Sequence, residues 1–193
     1  MRIIAGKWRS RRLVRPETEL TRPMPDRVKE TVFNILGHHY QTPGELPAIH
    51  VADVFAGSGS MGLEALSRGA RRCVFYERGR AALEALRANI EALAVGDSAT
   101  IVTTNAWTSA HTDPDGRPFD LILLDPPYRD SADATPTGKV PTFLRRVVAD
   151  PDSPLLVVVH HQGDKAFSPE TDSSWRIVDE RLIGSNRITV FAR

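Results

Sequence analysis

Asp125-Pro126-Pro127-Tyr128 places a carboxylate, two rigid residues and an aromatic ring at the end of the apolar run 119–124. The exocyclic amino group of a nucleobase is a poor nucleophile, because its lone pair is delocalised into the ring. Asp125 can accept one amino hydrogen and the Pro126 carbonyl another, which turns that lone pair toward a methyl sulfonium. Pro126 and Pro127 fix φ, so little ordering of the loop is left for the moment of reaction. Tyr128 offers a face on which a flipped or unpaired base stacks. Adenine N6, cytosine N4 and guanine N2 all fit this chemistry. The competing reading is local structure alone, with prolines that end a strand, an aspartate turn and a packed tyrosine.

A second constellation lies upstream. Val51 to Gly62 runs from strand through turn to helix, and Gly57, Gly59 and Gly62 satisfy G-x-G-x-x-G in that context. Glycines there let backbone approach a ligand. A dinucleotide would rest its pyrophosphate on the following helix. S-adenosylmethionine would bring its amino-acid end to the glycines, with Asp53 available to its ammonium. Glu77 closes the next strand, where a carboxylate accepts ribose hydroxyls of either cofactor. Asn105 reads equally as a hydrogen-bonding partner of adenine or as a turn former. The expected cofactor set is Asp53, Phe55, Gly57, Ser58, Gly59, Met61, Glu77, Arg78, Asn105 and Ala106. Asp125-Pro126-Pro127-Tyr128, which a dehydrogenase does not need, decides for S-adenosylmethionine.

The elements that must position these residues follow from the pattern of apolar residues. Runs at 49–55, 72–76, 100–103, 119–124 and 154–159 read as strands, with helices at 26–40, 60–68, 80–93 and 139–149. Val28, Val32 and Ile35 mark one face of the first helix, which Asp26 is placed to cap. Leu83, Leu86, Ile90 and Leu93 mark a face of the third. Trp175–Ile183 and Arg187–Phe191 read as an antiparallel hairpin around Gly184-Ser185-Asn186. The expected fold is α/β: a Rossmann-like, seven-stranded, mostly parallel sheet with an antiparallel C-terminal hairpin, helices on both faces and a small basic N-terminal extension. Residues 1–45 form the extension and 46–193 the main domain. In an open parallel sheet the ligand crevice lies at the carboxyl ends of the strands, where Gly57, Glu77, Asn105 and Asp125 converge.

The chain has 193 residues and a net charge of +1 that hides an asymmetry. Residues 1–30 carry nine basic and four acidic side chains, a net +5, against −4 for the other 163. This points to a polyanion at that end, or to a solvated basic face. Arg2, Lys7, Trp8, Arg9, Arg11, Arg12, Arg22 and Arg27 are the candidate contacts to such a polyanion, RNA if the base-amine chemistry above acts on it. Trp8 reads either as a stacking ring or as the anchor of the arm, with the anchor favoured. The single Cys73 excludes an internal disulfide, and the six histidines show no metal-ligand spacing. No membrane span or signal sequence is expected, which makes a cytoplasmic, metal-free monomer the default. Residues 129–138 form a lid or an ordinary loop. Of the adjacent His160 and His161 at most one faces the crevice, and both read as structural.

The order Asp53, Gly57-Ser58-Gly59, Glu77, Asn105, Asp125-Pro126-Pro127-Tyr128 resembles class I S-adenosylmethionine-dependent amino-methyltransferases. Arg2 to Arg9, Arg22 to Asn34 and Phe55 to Gly69 narrow the likeness to the bacterial ribosomal small-subunit methyltransferase D family. That resemblance implies transfer of a methyl group to N2 of a guanine in 16S rRNA, within the small subunit. The sequence departs at Met24-Pro25, where that family is Thr-rich, and at His160-His161, where an acidic residue is common. Three rivals stay open: a DNA adenine or cytosine methyltransferase, a protein-glutamine methyltransferase, and a non-catalytic RNA-binding assembly factor.

Overall fold

The computed structural model describes residues 1–16, 24–162 and 174–193. Among these lie seven strands: β1 (His50–Val54), β2 (Arg72–Tyr76), β3 (Ala99–Val102), β4 (Leu121–Leu124), β5 (Leu156–Gln162), β6 (Arg176–Ile183) and β7 (Asn186–Ala192). They form one sheet in the order β3-β2-β1-β4-β5-β7-β6. The first five run parallel, whereas β7 is antiparallel to both β5 and β6. This is the expected α/β architecture, with boundaries moved by a residue or two. β5 moves most, because it starts at Leu156 and extends to Gln162, taking His160 and His161 into the sheet.

Every residue of β1 and β4 is buried, as central parallel strands require. Alternation splits their side chains between two cores. Val51, Phe75, Leu121 and Val158 pack with Val32 and Phe33 of α1 (Asp26–His39), Leu63 of α2 (Ser60–Ser67) and Leu86 of α3 (Arg80–Leu93). Ala52, Val74, Ile122 and Val157 pack on the other side, with Ala106 of α4 (Ala106–Ser109) and Phe143 of α6 (Lys139–Arg146). The short α5 (Tyr128–Ser131) follows β4 directly. Neighbours of β1 are β2 on one side and β4 on the other, so the strand order reverses there. The crevice therefore opens at the carboxyl ends of β1 and β4.

Two helix expectations change. Pro25 occupies the N-cap of α1 without a side-chain cap bond, and Asp26 pairs with Arg2 at 3.1 Å instead of capping. The buried face of α3 consists of Ala82, Ala85, Leu86, Asn89 and Leu93, with Leu83 and Ile90 at its margin. It turns toward Asn89 because that amide is satisfied: it accepts from Val14 N at 2.7 Å and donates to Val14 O at 3.1 Å and Ser58 O at 3.0 Å.

Candidate active site

The glycine turn is locked by backbone bonds to carboxylates. Asp53 is 2% exposed and its Oδ2 accepts from Gly62 N at 2.7 Å, tying the end of β1 to the first turn of α2. Burial pushes the Asp53 carboxyl up to about 7 against that bond, and the nearby charges of Asp125 and Glu77 push the same way. Glu77 Oε2 accepts from Gly57 N at 2.8 Å, and Oε1 accepts from Arg78 N and Gly79 N at 2.7 and 2.6 Å. A carboxylate offers about four acceptor sites, so one stays available on Oε2. Gly57 has φ +57°, and a Cβ there would meet nothing within 4 Å: the turn leaves a cradle beside its backbone. A Cβ on Gly62 would instead lie 2.4 Å from the Phe75 ring and 2.5 Å from Cys73 Sγ, so that glycine serves helix–sheet packing.

Phe55, at φ +66°, is a non-glycine residue in the left-handed region, a strain typical of ligand sites. Its ring lies 4.9 Å from Trp107, making an apolar wall beside the turn. Trp107 was not among the expected site residues. Trp107 Nε1 donates to Asp130 Oδ2 at 3.2 Å, and Lys139 holds Asp130 Oδ1 at 2.8 Å, so the wall is braced by the loop after β4. Asn105 caps α4, its Oδ1 accepting from Trp107 N at 3.2 Å. Met61, Ser58 and Ala106 are buried, Met61 within the core that α2 shares with the sheet, whereas Arg78 is exposed.

Asp125 N donates to Val54 O at 3.1 Å, so the acid sits beside the end of β1. Pro126 is buried, Pro127 is exposed, and Tyr128 is 42% exposed at the start of α5. The register pairs Leu124 with Val159, which brings the next residues, Asp125 and His160, side by side. His160 Nδ1 lies 2.7 Å from Asp125 Oδ1, and Nε2 lies 2.9 Å from Asn186 Oδ1. His160, read from the sequence as structural, has its ring against the candidate catalytic carboxylate. Burial pulls its pKa down, but the bond to Asp125 and its charge outweigh that, and the net shift is upward. His161 points to the opposite face and meets Thr189 Oγ1 at 3.0 Å; burial and Arg187 push it down to about 4.

The basic extension is bound tightly to the domain. Arg2 and Arg12 bridge antiparallel, closing a short hairpin. Ile4 N and Ala5 N donate to Glu64 at 2.7 and 3.0 Å, and Trp8 N donates to Ser67 Oγ at 3.0 Å. Gly6, at φ +77°, approaches α2 so closely that a Cβ would lie 1.9 Å from Ser67 O. Beneath the hairpin, Lys29 and Glu64 are fully buried 3.4 Å apart, and Arg68 holds Glu64 at 2.8 Å. Lys29 also donates to Arg2 O at 2.6 Å and Ser60 Oγ at 3.1 Å. Removing one partner of such a pair costs ~3–5 kcal/mol. Trp8 is half-buried against the core, the anchor option. Lys7, Arg9, Arg11, Arg12 and Arg27 are exposed, and Arg22 lies outside the described residues. Among the described residues, no three His, Cys, Asp or Glu side chains gather as they would around a metal ion, and no helix is long and apolar enough to cross a membrane.

Comparison with known proteins settles the family. Residues 1–192 match the family described as conserved hypothetical protein 95. The ribosomal RNA small subunit methyltransferase D of Haemophilus influenzae is 32% identical over 195 residues, covering 95% of this chain and 89% of that protein. The chain belongs to the ribosomal small-subunit methyltransferase D family. The family protein of Escherichia coli is 40% identical over 132 residues, 67% of this chain and 61% of its own length. A solved Escherichia coli structure with a provisional methyltransferase description is 30% identical, with TM-score 0.79, over 100% of this chain and 97% of that one.

Proposed function

We propose that this chain transfers a methyl group from S-adenosylmethionine to the exocyclic N2 amine of a guanine in 16S rRNA. The observation that carries this reading is Asp125, held at the carboxyl end of β4 beside the end of β1, with one oxygen tied to His160. Family membership supports rRNA of the small subunit as the substrate. The choice of guanine N2 comes from the family resemblance, since the site chemistry suits any exocyclic base amine.

Residues 46–193 act as the methyltransferase domain and 1–45 as the extension that holds RNA. The residues around the glycine turn fit the cofactor: the cradle at Gly57, the spare acceptor on Glu77 and the Phe55–Trp107 wall suit an adenosine ligand with an amino-acid tail. When bound, S-adenosylmethionine supplies an electrophilic methyl group on a sulfonium. Asp125 Oδ2 and the Pro126 carbonyl accept the two amino hydrogens and turn the nitrogen lone pair toward that methyl. Tyr128 stacks on the base, and the prolines keep the acceptors in place beforehand. The Asp125 side chain is 36% exposed, so water at the crevice mouth takes up the proton that leaves the methylated nitrogen. Arg2, Lys7, Arg9, Arg11, Arg12, Arg22 and Arg27 contact phosphates, while Trp8 anchors the hairpin that presents them. The enzyme acts in the cytoplasm as a monomer without a metal. A small basic extension mounted on the domain suits the preformed shape of an assembled subunit better than naked RNA.

The test offers labelled S-adenosylmethionine to unmethylated small subunits, naked 16S rRNA, duplex DNA and a protein extract, then identifies the methylated product. N2-methylguanosine from the subunits is the expected result. Methyladenine or methylcytosine would overturn the choice of base, and label in DNA or protein alone would overturn the choice of substrate.

A further inference from the structure

His160 stands between two acceptors at once. Its Nδ1 faces a carboxylate oxygen, Asp125 Oδ1, at 2.7 Å. Its Nε2 faces an amide oxygen, Asn186 Oδ1, at 2.9 Å. The Asn186 amide cannot reverse without loss, because its Nδ2 donates to Ile183 O at 3.2 Å across the turn between β6 and β7. A neutral imidazole has one donor and one acceptor nitrogen. Either neutral tautomer would therefore aim a ring lone pair at an oxygen lone pair. With Asp125 as a carboxylate, only the doubly protonated ring satisfies both neighbours.

We propose that His160 is the positioning residue for Asp125, an imidazolium fixed between Asp125 and Asn186 that holds Oδ1 and leaves Oδ2 to the substrate amine. This rests on the methyl-transfer role given above to Asp125. Among the described residues, Asp125 Oδ2 has no hydrogen bond, and the carboxylate borders the crevice at 36% exposure while the ring beneath it is 6% exposed. A carboxylate anchored through one oxygen keeps its plane, and so presents the other in a constant direction.

The described charged and titratable groups around the ring are few. Asp125 reaches it from the end of β4, and His161 lies on the same strand but opposite face. Arg187 of β7 sits opposite His161 and pairs with Glu180 of β6 at 2.8 Å. Asn186 is neutral, and the residue paired with His160 on β7 is Ile188. The carboxylate of Asp125 is therefore the charge that favours protonation. The folded-state pKa of His160 lies above its ordinary 6.5, so the ion pair is fully present below that value. Its contribution is lost as pH rises through the folded pKa. Above it, one of the two anchors must break, and kcat falls on an alkaline limb.

The experiment follows methyl transfer to small subunits from pH 6 to 10 in the wild type, His160→Gln and Asn186→Leu. His160 is also titrated directly by nuclear magnetic resonance in the wild type. His160→Gln should keep its affinity for S-adenosylmethionine while kcat drops about 10- to 100-fold, the range for groups that orient a functional ligand. Its alkaline limb should vanish. Asn186→Leu should keep the limb but move it toward acid, because the imidazolium has lost one acceptor. A residue that merely filled space would move neither limb. A His160 resonance that titrates at or below the ordinary histidine value overturns the proposal, as does an unchanged limb in His160→Gln. Wild-type protein that methylates no RNA at all would instead sink the reading of Asp125, while the resonance titration would still judge the imidazolium by itself.

Discussion

The two walls of the crevice are built on different principles. The glycine turn after β1 is fixed by backbone: Asp53 Oδ2 and both oxygens of Glu77 accept from main-chain amides, and Gly62 is packed too closely for any side chain. The loop after β4 is fixed by side chains. Asp125 is held by one imidazole, and Tyr128 projects into solvent with 42% of its surface exposed. A wall made of backbone holds its shape at the cost of burying a carboxyl such as Asp53. A wall made of side chains can be tuned by one proton. Damage to the first should therefore register in stability and cofactor affinity, and damage to the second in turnover.

The largest effect expected is on the backbone-built wall, and it depends on pH. The Asp53 carboxyl stands at about 7 in the folded chain, against 3.8 ordinarily. Between those values the native protein keeps a proton that the unfolded chain has released, so rising pH costs stability across that window. Asp53→Asn cannot titrate. Its stability relative to wild type should improve by up to about 4 kcal/mol from pH 4 to pH 8, at about 1.4 kcal/mol per pKa unit. Urea unfolding at several pH values reads this directly. A constant difference would mean that the Asp53 charge is compensated inside the turn, and the contrast between the walls would weaken.

On the other wall, Asp125→Ala should leave folding and cofactor binding in place and remove transfer. A single preorganised hydrogen-bonding partner is worth roughly 10²–10³ in kcat, about 3–4 kcal/mol. Calorimetry with S-adenosylmethionine, run beside the transfer assay, separates the two properties. Loss of cofactor binding together with transfer would show that Asp125 belongs to the cofactor wall. Tyr128→Ala comes next. The exposed ring adds little to the core, so unfolding should hardly change. Losing a stacking platform should raise KM for RNA by about 1–3 kcal/mol of binding energy. An unchanged KM would place the target base elsewhere.

How far the sequence foretold this site depends on the range of the contacts. The buried runs of β1 and β4, the turn between them and the place of Asp125 were legible, because apolar runs and glycine spacing are local signals. Alternation limited the crevice-facing residue to at most one of His160 and His161. Which one does so depends on the register Leu124–Val159, a pairing across 35 residues that no local pattern encodes. Lys29 was hidden for a similar reason. It sits among the apolar residues of α1, and the carboxylate of Glu64, the carbonyl of Arg2 and the hydroxyl of Ser60 make its burial tolerable. Trp107 and Asn89 also take their roles from distant partners, Phe55 and Val14. The family resemblance supplied the substrate class, which no single residue states.

The smallest predicted effect concerns the basic hairpin and tests whether it extends the substrate wall. Its backbone is clamped on Glu64 and Ser67, and Arg9, Arg11 and Arg12 stay exposed. A rigid mount that leaves its arginines in water suits phosphate contacts, since no ordering of the loop is needed on binding. Replacing the three with glutamine should leave the fold and cofactor affinity intact, because none of these side chains enters the buried Lys29–Glu64–Arg68 knot. Affinity for RNA should fall, and its dependence on the logarithm of salt concentration should flatten by about 0.7–0.9 for each phosphate no longer neutralised. A slope that does not change would show that the RNA lies wholly against the loop after β4. The hairpin would then serve only to cover α2 and steady the glycine turn through Ser60 and Asn89.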